Sequence, residues 1–254
     1  MKNAELSIKQ QIPNPQVPSG RDNFIRKTYP NREAWLKARM GAIGASDAPA
    51  VMQKSPWVSN IQLWEEKTGR RLPKDLSGVE AVQRGIREEP IIRAQFMREH
   101  PEYLVDYHQY DILYHKDYPF IAATLDAELT EIATGRRGVL EVKTGSYSTQ
   151  KYLDAWTQGF IPELYFPQVI QQLMVTGWDF LILRAKLFRI DASYSRGGNN
   201  SFLPETFETQ FYVDAHTQTV IESKEAVLDA DVAFWSCVVT DTMPWQSMKI
   251  GGPK

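Results

Sequence analysis

Two short segments, LDAEL and LEVKT, place Asp126, Glu141 and Lys143 in stretches whose composition suits β-strands. Residues i and i+2 of a strand point to the same face. Glu141 and Lys143 therefore project together, and Val142 turns into the core. A hairpin between the segments brings Asp126 alongside, on an adjacent strand. Two carboxylates and an ammonium fit poorly in an apolar core and well around a divalent cation. Mg²⁺ takes octahedral oxygen ligands, usually one or two carboxylates plus water and phosphate. Asp126 and Glu141 can supply the carboxylates, and the Val142 carbonyl a third oxygen. Lys143 is then placed to hold or deprotonate an attacking water. A second ion about 4 Å away would stabilise a leaving oxygen.

Glu-x-Lys alone carries little weight, since exposed strands alternate charges for solubility. Leu125, Val139 and Leu140 strengthen the reading, because an apolar setting marks a central strand. RGIREEP offers a further carboxylate, Glu88 or Glu89, from the preceding helix. After the site, Gln168 and Gln172 share a helix face at i, i+4 spacing. On the residues alone that pair is a polar outer stripe, and Glu88/Glu89 a solvated face.

The elements around these residues are legible in outline. NREAWLKARM predicts a short helix capped by Asn31, with Trp35 and Arg39 on one face. GAIGASDAPAVM predicts a tight turn and a helix opening near Ser46 or Asp47, with Pro49 in its first turn. NIQLWEEKTG predicts a helix closed by Gly69. A long helix is expected from Val79 to Arg98, with Val82, Ile86, Ile91 and Phe96 apolar and a kink or break at Pro90. YLVDYHQYDILYH, FIAATLDAEL and GVLEVKT predict three strands, with ATGRRG as a hairpin tip. A helix over YFPQVIQQLMVTG, strands FLILRAKLF and TFETQFYVD, and a helix from His216 to Val239 follow. This order suits an α/β (α+β) domain with a mixed central sheet flanked by helices.

With 254 residues, 43% hydrophobic, the chain can bury one sizeable core. Residues 1–20 are polar with three prolines and lack a secretory apolar stretch, which predicts a flexible arm before a single domain over 21–254. No apolar run is long enough for a bilayer, so a membrane partner is not expected. A single cysteine, Cys237, excludes an intrachain disulfide, a Cys₄ zinc site or an iron–sulfur cluster within one chain, and fits a reducing, cytoplasmic compartment. The formal charge of −2 excludes a globally basic nucleic-acid binder. Local clusters (Arg26 to Arg39, Arg84 to Arg93) can still attract phosphate.

Five blocks occur in order: W-x-x-x-R with IGASD, SPW with LWEEKTG, G-x-x-x-E-P, D…E-x-K, and Q-V-x-x-Q with VTG. Through them the chain, from about Trp35 to Gly177, resembles the lambda-exonuclease (YqaJ-type) viral recombinase family of PD-(D/E)xK nucleases. The resemblance implies a PD-(D/E)xK nuclease fold. It implies Asp126, Glu141, Val142 and Glu89 as ligands of two Mg²⁺ ions, with Mn²⁺ as a substitute. It implies Lys143 as the catalytic lysine, Gln168 beside it, and Gln172 in support. It selects Glu89 over Glu88, because Gly85 and Pro90 bracket it. Arg39 and Ser46 match the pair that grips a DNA 5′-phosphate.

The activity so implied is 5′-to-3′ digestion of one strand of double-stranded DNA ends, leaving 3′ tails for recombination with a single-strand annealing protein. A homotrimer, encoded by a phage or prophage and acting in the bacterial host cytoplasm, is implied likewise. Two features depart from the pattern. The hairpin TEIATGRRG is extended, and Ala45 stands where the family has glycine. The rival readings are an endonuclease of restriction or junction-resolving type on the same core, and a catalytically inactive DNA-binding module.

Overall fold

The computed structural model describes residues 22–190 and 204–245. The arm expected over residues 1–20 lies outside the described residues. Strand β1 (Phe24–Thr28) is followed by α1 (Arg32–Arg39), β2 (Ile43–Gly44), a 3₁₀ turn (Ala45–Asp47) and α2 (Ala48–Val51). Next come α3 (Asn60–Lys67), α4 (Glu80–Glu99), β3 (Tyr103–Asp106), β4 (Asp111–His115), β5 (Ile121–Ala123), β6 (Ala127–Glu131) and β7 (Arg137–Tyr147). Helices α5 (Gln150–Thr157) and α6 (Phe166–Thr176), strands β8 (Phe180–Arg189) and β9 (Thr206–Asp214), and α7 (Gln218–Val239) complete the order.

Local signals account for many of these boundaries. The Asn31 side chain accepts from the Ala34 N–H at 2.9 Å and opens α1. Ser59 and Gln62 form a capping box on α3. Gly177, at φ +69°, ends α6 in the left-handed conformation.

Instead of one sheet, the strands form two. A five-stranded mixed sheet has the order β3-β6-β7-β8-β9, and a four-stranded sheet the order β1-β4-β5-β2. The expected strand YLVDYHQYDILYH divides at Tyr110, whose φ of +64° turns the chain. FIAATLDAEL divides around Thr124 to Asp126. In each case the first and second parts pair in different sheets. Asp126 therefore lies in the loop just before β6, not on a strand as the hydrophobic pattern suggested. Strand β1 and helix α5 were not anticipated. FIRKT buries only Phe24, so it lacks the alternation that marks a half-buried strand.

Strands β7 and β8 run parallel, joined by a crossover through α5 and α6, while β6 and β9 flank them antiparallel. The larger sheet lies between two helical layers. On one face Ile92 and Phe96 of α4 join Leu129, Leu140, Val142 and Phe180. On the other, Val169, Ile170 and Leu173 of α6 join Val139, Leu181, Leu183 and Ala185. Helix α4 runs unbroken through Pro90. Its buried pair is Ile92 and Phe96; Phe96 is buried as expected, whereas Ile86 and Ile91 are more than half exposed and Ile92 takes the inward place expected of Ile91. Docking of that one stripe on the sheet outweighs the single hydrogen bond that proline removes.

One buried group has a consequence for pH. Asp231 of α7 is fully buried, and neither carboxylate oxygen has a hydrogen-bond partner among the described residues. Burial, and then the charge of Asp47, holds its carboxyl well above the usual carboxylate range. A folded-state value above the unfolded one favours folding at low pH, and that advantage is lost as pH rises towards the folded value. Asp231→Asn does not titrate. The difference in Tm, variant minus parent, should therefore grow between pH 4 and pH 8, by roughly 2–4 °C per kcal/mol of linkage. Melting curves across that range test this, and a pH-independent difference would contradict it.

Candidate active site

Alternation along β7 sorts its side chains between the two layers. Leu140 and Val142 face α4, and Glu141 and Lys143 face α6. Glu141 is 3% exposed and accepts three hydrogen bonds. Its Oε1 receives Lys143 Nζ at 2.6 Å and Gln168 Nε2 at 2.6 Å, and its Oε2 receives Gln172 Nε2 at 2.6 Å. Lys143 Nζ also donates to Gln168 Oε1 at 2.7 Å. Buried charge needs such partners. Gln168 and Gln172 thus point inward, and the outer polar stripe expected of them does not exist. Gln172 is fully buried and Gln168 half-buried, because α6 is covered on nearly every side.

From the loop before β6, Asp126 reaches the same end of the sheet. Its Oδ2 accepts the Val142 N–H at 2.7 Å. Desolvation, followed by the charges of Glu141 and Glu89, holds the Asp126 carboxyl well above its ordinary range. The Arg93 guanidinium bonds Glu89 Oε1 at 3.0 Å and the Asp126 carbonyl at 2.9 Å, tying α4 to this loop. Glu89 lines the resulting cavity, while Glu88 pairs with Lys186 at 3.3 Å.

The cavity measures about 340 Å³. Asp126, Glu141, Val142, Lys143, Gln168 and Glu89 line one part of it, and Arg39, Ser46 and Trp35 another. Arg39 ends α1 and Ser46 sits in the 3₁₀ turn, so the segment between them folds back on itself. Arg39 Nη2 donates to Ser46 Oγ at 2.9 Å, and the guanidinium lies 4.6 Å from the centre of the Trp35 ring. Ala45, at the family's glycine position, is buried and its methyl group is accommodated.

Several lining or supporting residues escaped the sequence reading. Tyr107, His108 and Tyr110 line the cavity from the β3–β4 connection, and nothing in their spacing marks them. Gln171 donates to the carbonyls of Ile43 and Ala122, anchoring α6 to the smaller sheet. A signal for it existed, in that three glutamines interrupt an otherwise apolar helix in PQVIQQLMVT.

Carboxylates and a lysine gathered at one end of a parallel strand pair, in a mixed sheet between helices, have the layout of the PD-(D/E)xK nuclease fold. Residues 34–179 match the YqaJ-like viral recombinase domain, and the chain belongs to that family. It is 32% identical over 150 residues to the uncharacterized protein YqaJ of Bacillus subtilis (strain 168). That match covers 59% of this chain and 44% of the relative, so it spans less than half of the relative's length. Among solved structures, LHK-Exo in complex with dAMP shares the fold with a TM-score of 0.59 at 22% identity, over 83% of this chain and 94% of that one. The alkaline exonuclease LHK-Exo from Laribacter hongkongensis matches at a TM-score of 0.53 and 20% identity, over 83% and 98%. Among the described residues no helix is long and apolar enough to cross a membrane.

Proposed function

We propose that this chain is a magnesium-dependent 5′-to-3′ exonuclease that digests one strand of linear duplex DNA and leaves 3′ single-stranded tails. The observation that carries this reading is that one cavity joins the Arg39–Ser46 pair to the Asp126, Glu141 and Lys143 group. A cation-binding wall and an anion-binding wall, so close together, suit a terminal phosphate beside the bond to be cut.

The donor set fits a hard divalent cation. Among the described residues no three His, Cys, Asp or Glu side chains form a complete metal cage. Magnesium does not need one, since it keeps water and takes substrate oxygens beside one or two carboxylates. A cation there would relieve the repulsion that Asp126 feels from Glu141 and Glu89. Asp126 and Glu141, with the Val142 carbonyl and Glu89, are the residues that would hold it, and two Mg²⁺, or Mn²⁺ in their place, suit this class. Bound there, the ions would polarise the phosphate and lower the pKa of a water.

The protein's own groups do the rest. Lys143 holds the attacking water and its proton. Gln168 orients Lys143, and Gln172 fixes the far oxygen of Glu141. Arg39 offers a planar fork to two phosphate oxygens and Ser46 a hydroxyl donor. The LHK-Exo relative was solved with dAMP, a nucleoside monophosphate, which fits release of mononucleotides from an end. The same proposal includes a single-strand annealing partner, a homotrimer, phage or prophage origin and action in the host cytoplasm, each suggested by resemblance to the family.

End-labelled duplexes with and without a 5′-phosphate test it. Wild-type protein should digest the phosphorylated end faster. Arg39→Ala should lower the ratio of the two rates by roughly 10- to 150-fold, the equivalent of about 1.5–3 kcal/mol for hydrogen bonds to a charged group. Equal loss on both substrates would make Arg39 a general contact. Cutting of closed circles would favour an endonuclease, and binding without cutting an inactive module.

A further inference from the structure

The LWEEKTG block does not line the cavity, yet its lysine reaches the segment that carries Arg39 and Ser46. Helix α3 is fixed by its capping box, by burial of Leu63 and Trp64, and by a bond from Trp64 Nε1 to the Cys237 carbonyl at 3.1 Å. One turn on, Lys67 turns inward, its side chain only 5% exposed. Its ammonium has three donors, and three acceptors meet them. These are the Ala42 carbonyl at 2.6 Å, the Asp47 carboxylate at 2.8 Å and the Arg39 carbonyl at 3.1 Å. The same oxygen of Asp47 accepts the Gly44 N–H at 3.0 Å. The ammonium thus ties the end of α1, which carries Arg39, to the turn that carries Ser46.

Charge matters as much as geometry. The Cβ position of a side chain at Gly44 would lie 3.6 Å from Asp47 Oδ2, 3.8 Å from Ser46 Oγ and 3.9 Å from Arg39 Nη2. A carboxylate therefore stands close to Ser46 Oγ and Arg39 Nη2, since all three lie within 4 Å of one point. Unpaired, it would repel that phosphate and draw Arg39 away from it. Paired with Lys67, it is neutralised.

We propose that Lys67 and Asp47 are positioning residues for a terminal phosphate, with Lys67 cancelling the Asp47 charge and holding Arg39 and Ser46 at their spacing. This rests on the 5′-phosphate reading of the pocket. It also makes the two substitutions act in opposite directions, which general damage to the fold would not do.

The test measures kcat and KM on 5′-phosphorylated and 5′-hydroxyl duplexes for the wild type, Lys67→Met, Asp47→Asn and the double variant. Lys67→Met should lower the phosphate preference about tenfold, mostly through KM, because it leaves a close unpaired anion. Asp47→Asn keeps an acceptor for the Gly44 N–H and frees the lysine charge, so the preference should rise. The double variant should recover much of what Lys67→Met loses. Equal losses on both substrates in both single variants would overturn the inference and leave the phosphate reading intact. A wild type without phosphate preference would remove that reading and this inference with it. If circular dichroism shows Lys67→Met unfolded, Asp47→Asn decides alone. A raised preference supports the pair, and an unchanged or lowered one overturns it.

Discussion

Lys143→Ala is expected to lower the rate of strand cleavage by roughly 10²–10⁴-fold, the usual contribution of a positioned proton-transfer group. The lysine is held between Glu141 and Gln168, with 17% of its side chain exposed at the cavity. That leaves one side open for a water. Removing it deletes the group that would hold the nucleophile, yet Glu141 keeps its bonds from Gln168 and Gln172. Strand β7 stays anchored by Leu140 and Val142 on the α4 side and by its partners β6 and β8. Duplex binding and Tm should therefore stay close to those of the parent. Single-turnover digestion of a labelled duplex, with a binding titration and a melting curve, checks all three. A cleavage rate within twofold of the parent would remove Lys143 from the mechanism. Loss of binding along with cleavage would recast it as a structural residue.

Phe96→Ala should produce the largest loss of stability, about 3–5 kcal/mol. Phe96 is fully buried, stacks near Tyr103 at 6.1 Å between ring centres, and lies 4.4 Å from the His100 ring. With Ile92 it is one of only two buried residues of α4, so the docking of that helix depends on it. The facing residues Leu129, Leu140 and Phe180 sit in paired strands that cannot close in on the space the ring leaves. At roughly 2–4 °C per kcal/mol for a domain of this size, Tm should fall on the order of 10 °C. Because α4 also carries Glu89 and Arg93, cleavage should weaken before global unfolding. Denaturant titration measures the first effect, and activity against temperature the second. A loss below about 1 kcal/mol would show that α4 is held by contacts other than this stripe.

Local chemistry was legible wherever a rule acts over a few residues. The period of two put Glu141 and Lys143 on one face and Val142 on the other. Asn31 and Gly177 announced helix ends. The turn after Met40, with Pro49 opening the short helix α2, was visible for the same reason. Alternation cannot tell whether an apolar run stays in one sheet. YLVDYHQYDILYH and FIAATLDAEL each cross from one sheet to the other, and the hydrophobic pattern continues across the crossing because both sheets bury apolar residues.

By itself, then, the sequence determined the order of the helices and strands apart from β1, α5 and the two divided strands, the shared face of Glu141 and Lys143, and the family to which residues 34–179 belong. The tertiary structure alone decided which side chains meet. The family pattern had selected Glu89 over Glu88, but the physical reason is tertiary: Glu89 faces the cavity and Glu88 turns to Lys186 because α4 docks through Ile92 and Phe96, a phase that exposed Ile86 and Ile91 had obscured. Gln172 points inward because α6 is buried on nearly all sides, so its position on the helix could not show which face is outside. Lys67 meets Asp47 and the end of α1 across 20 or more residues of chain, and no spacing rule reaches that far. Partners so remote are chosen by how the layers pack, a property of the whole fold and not of any segment.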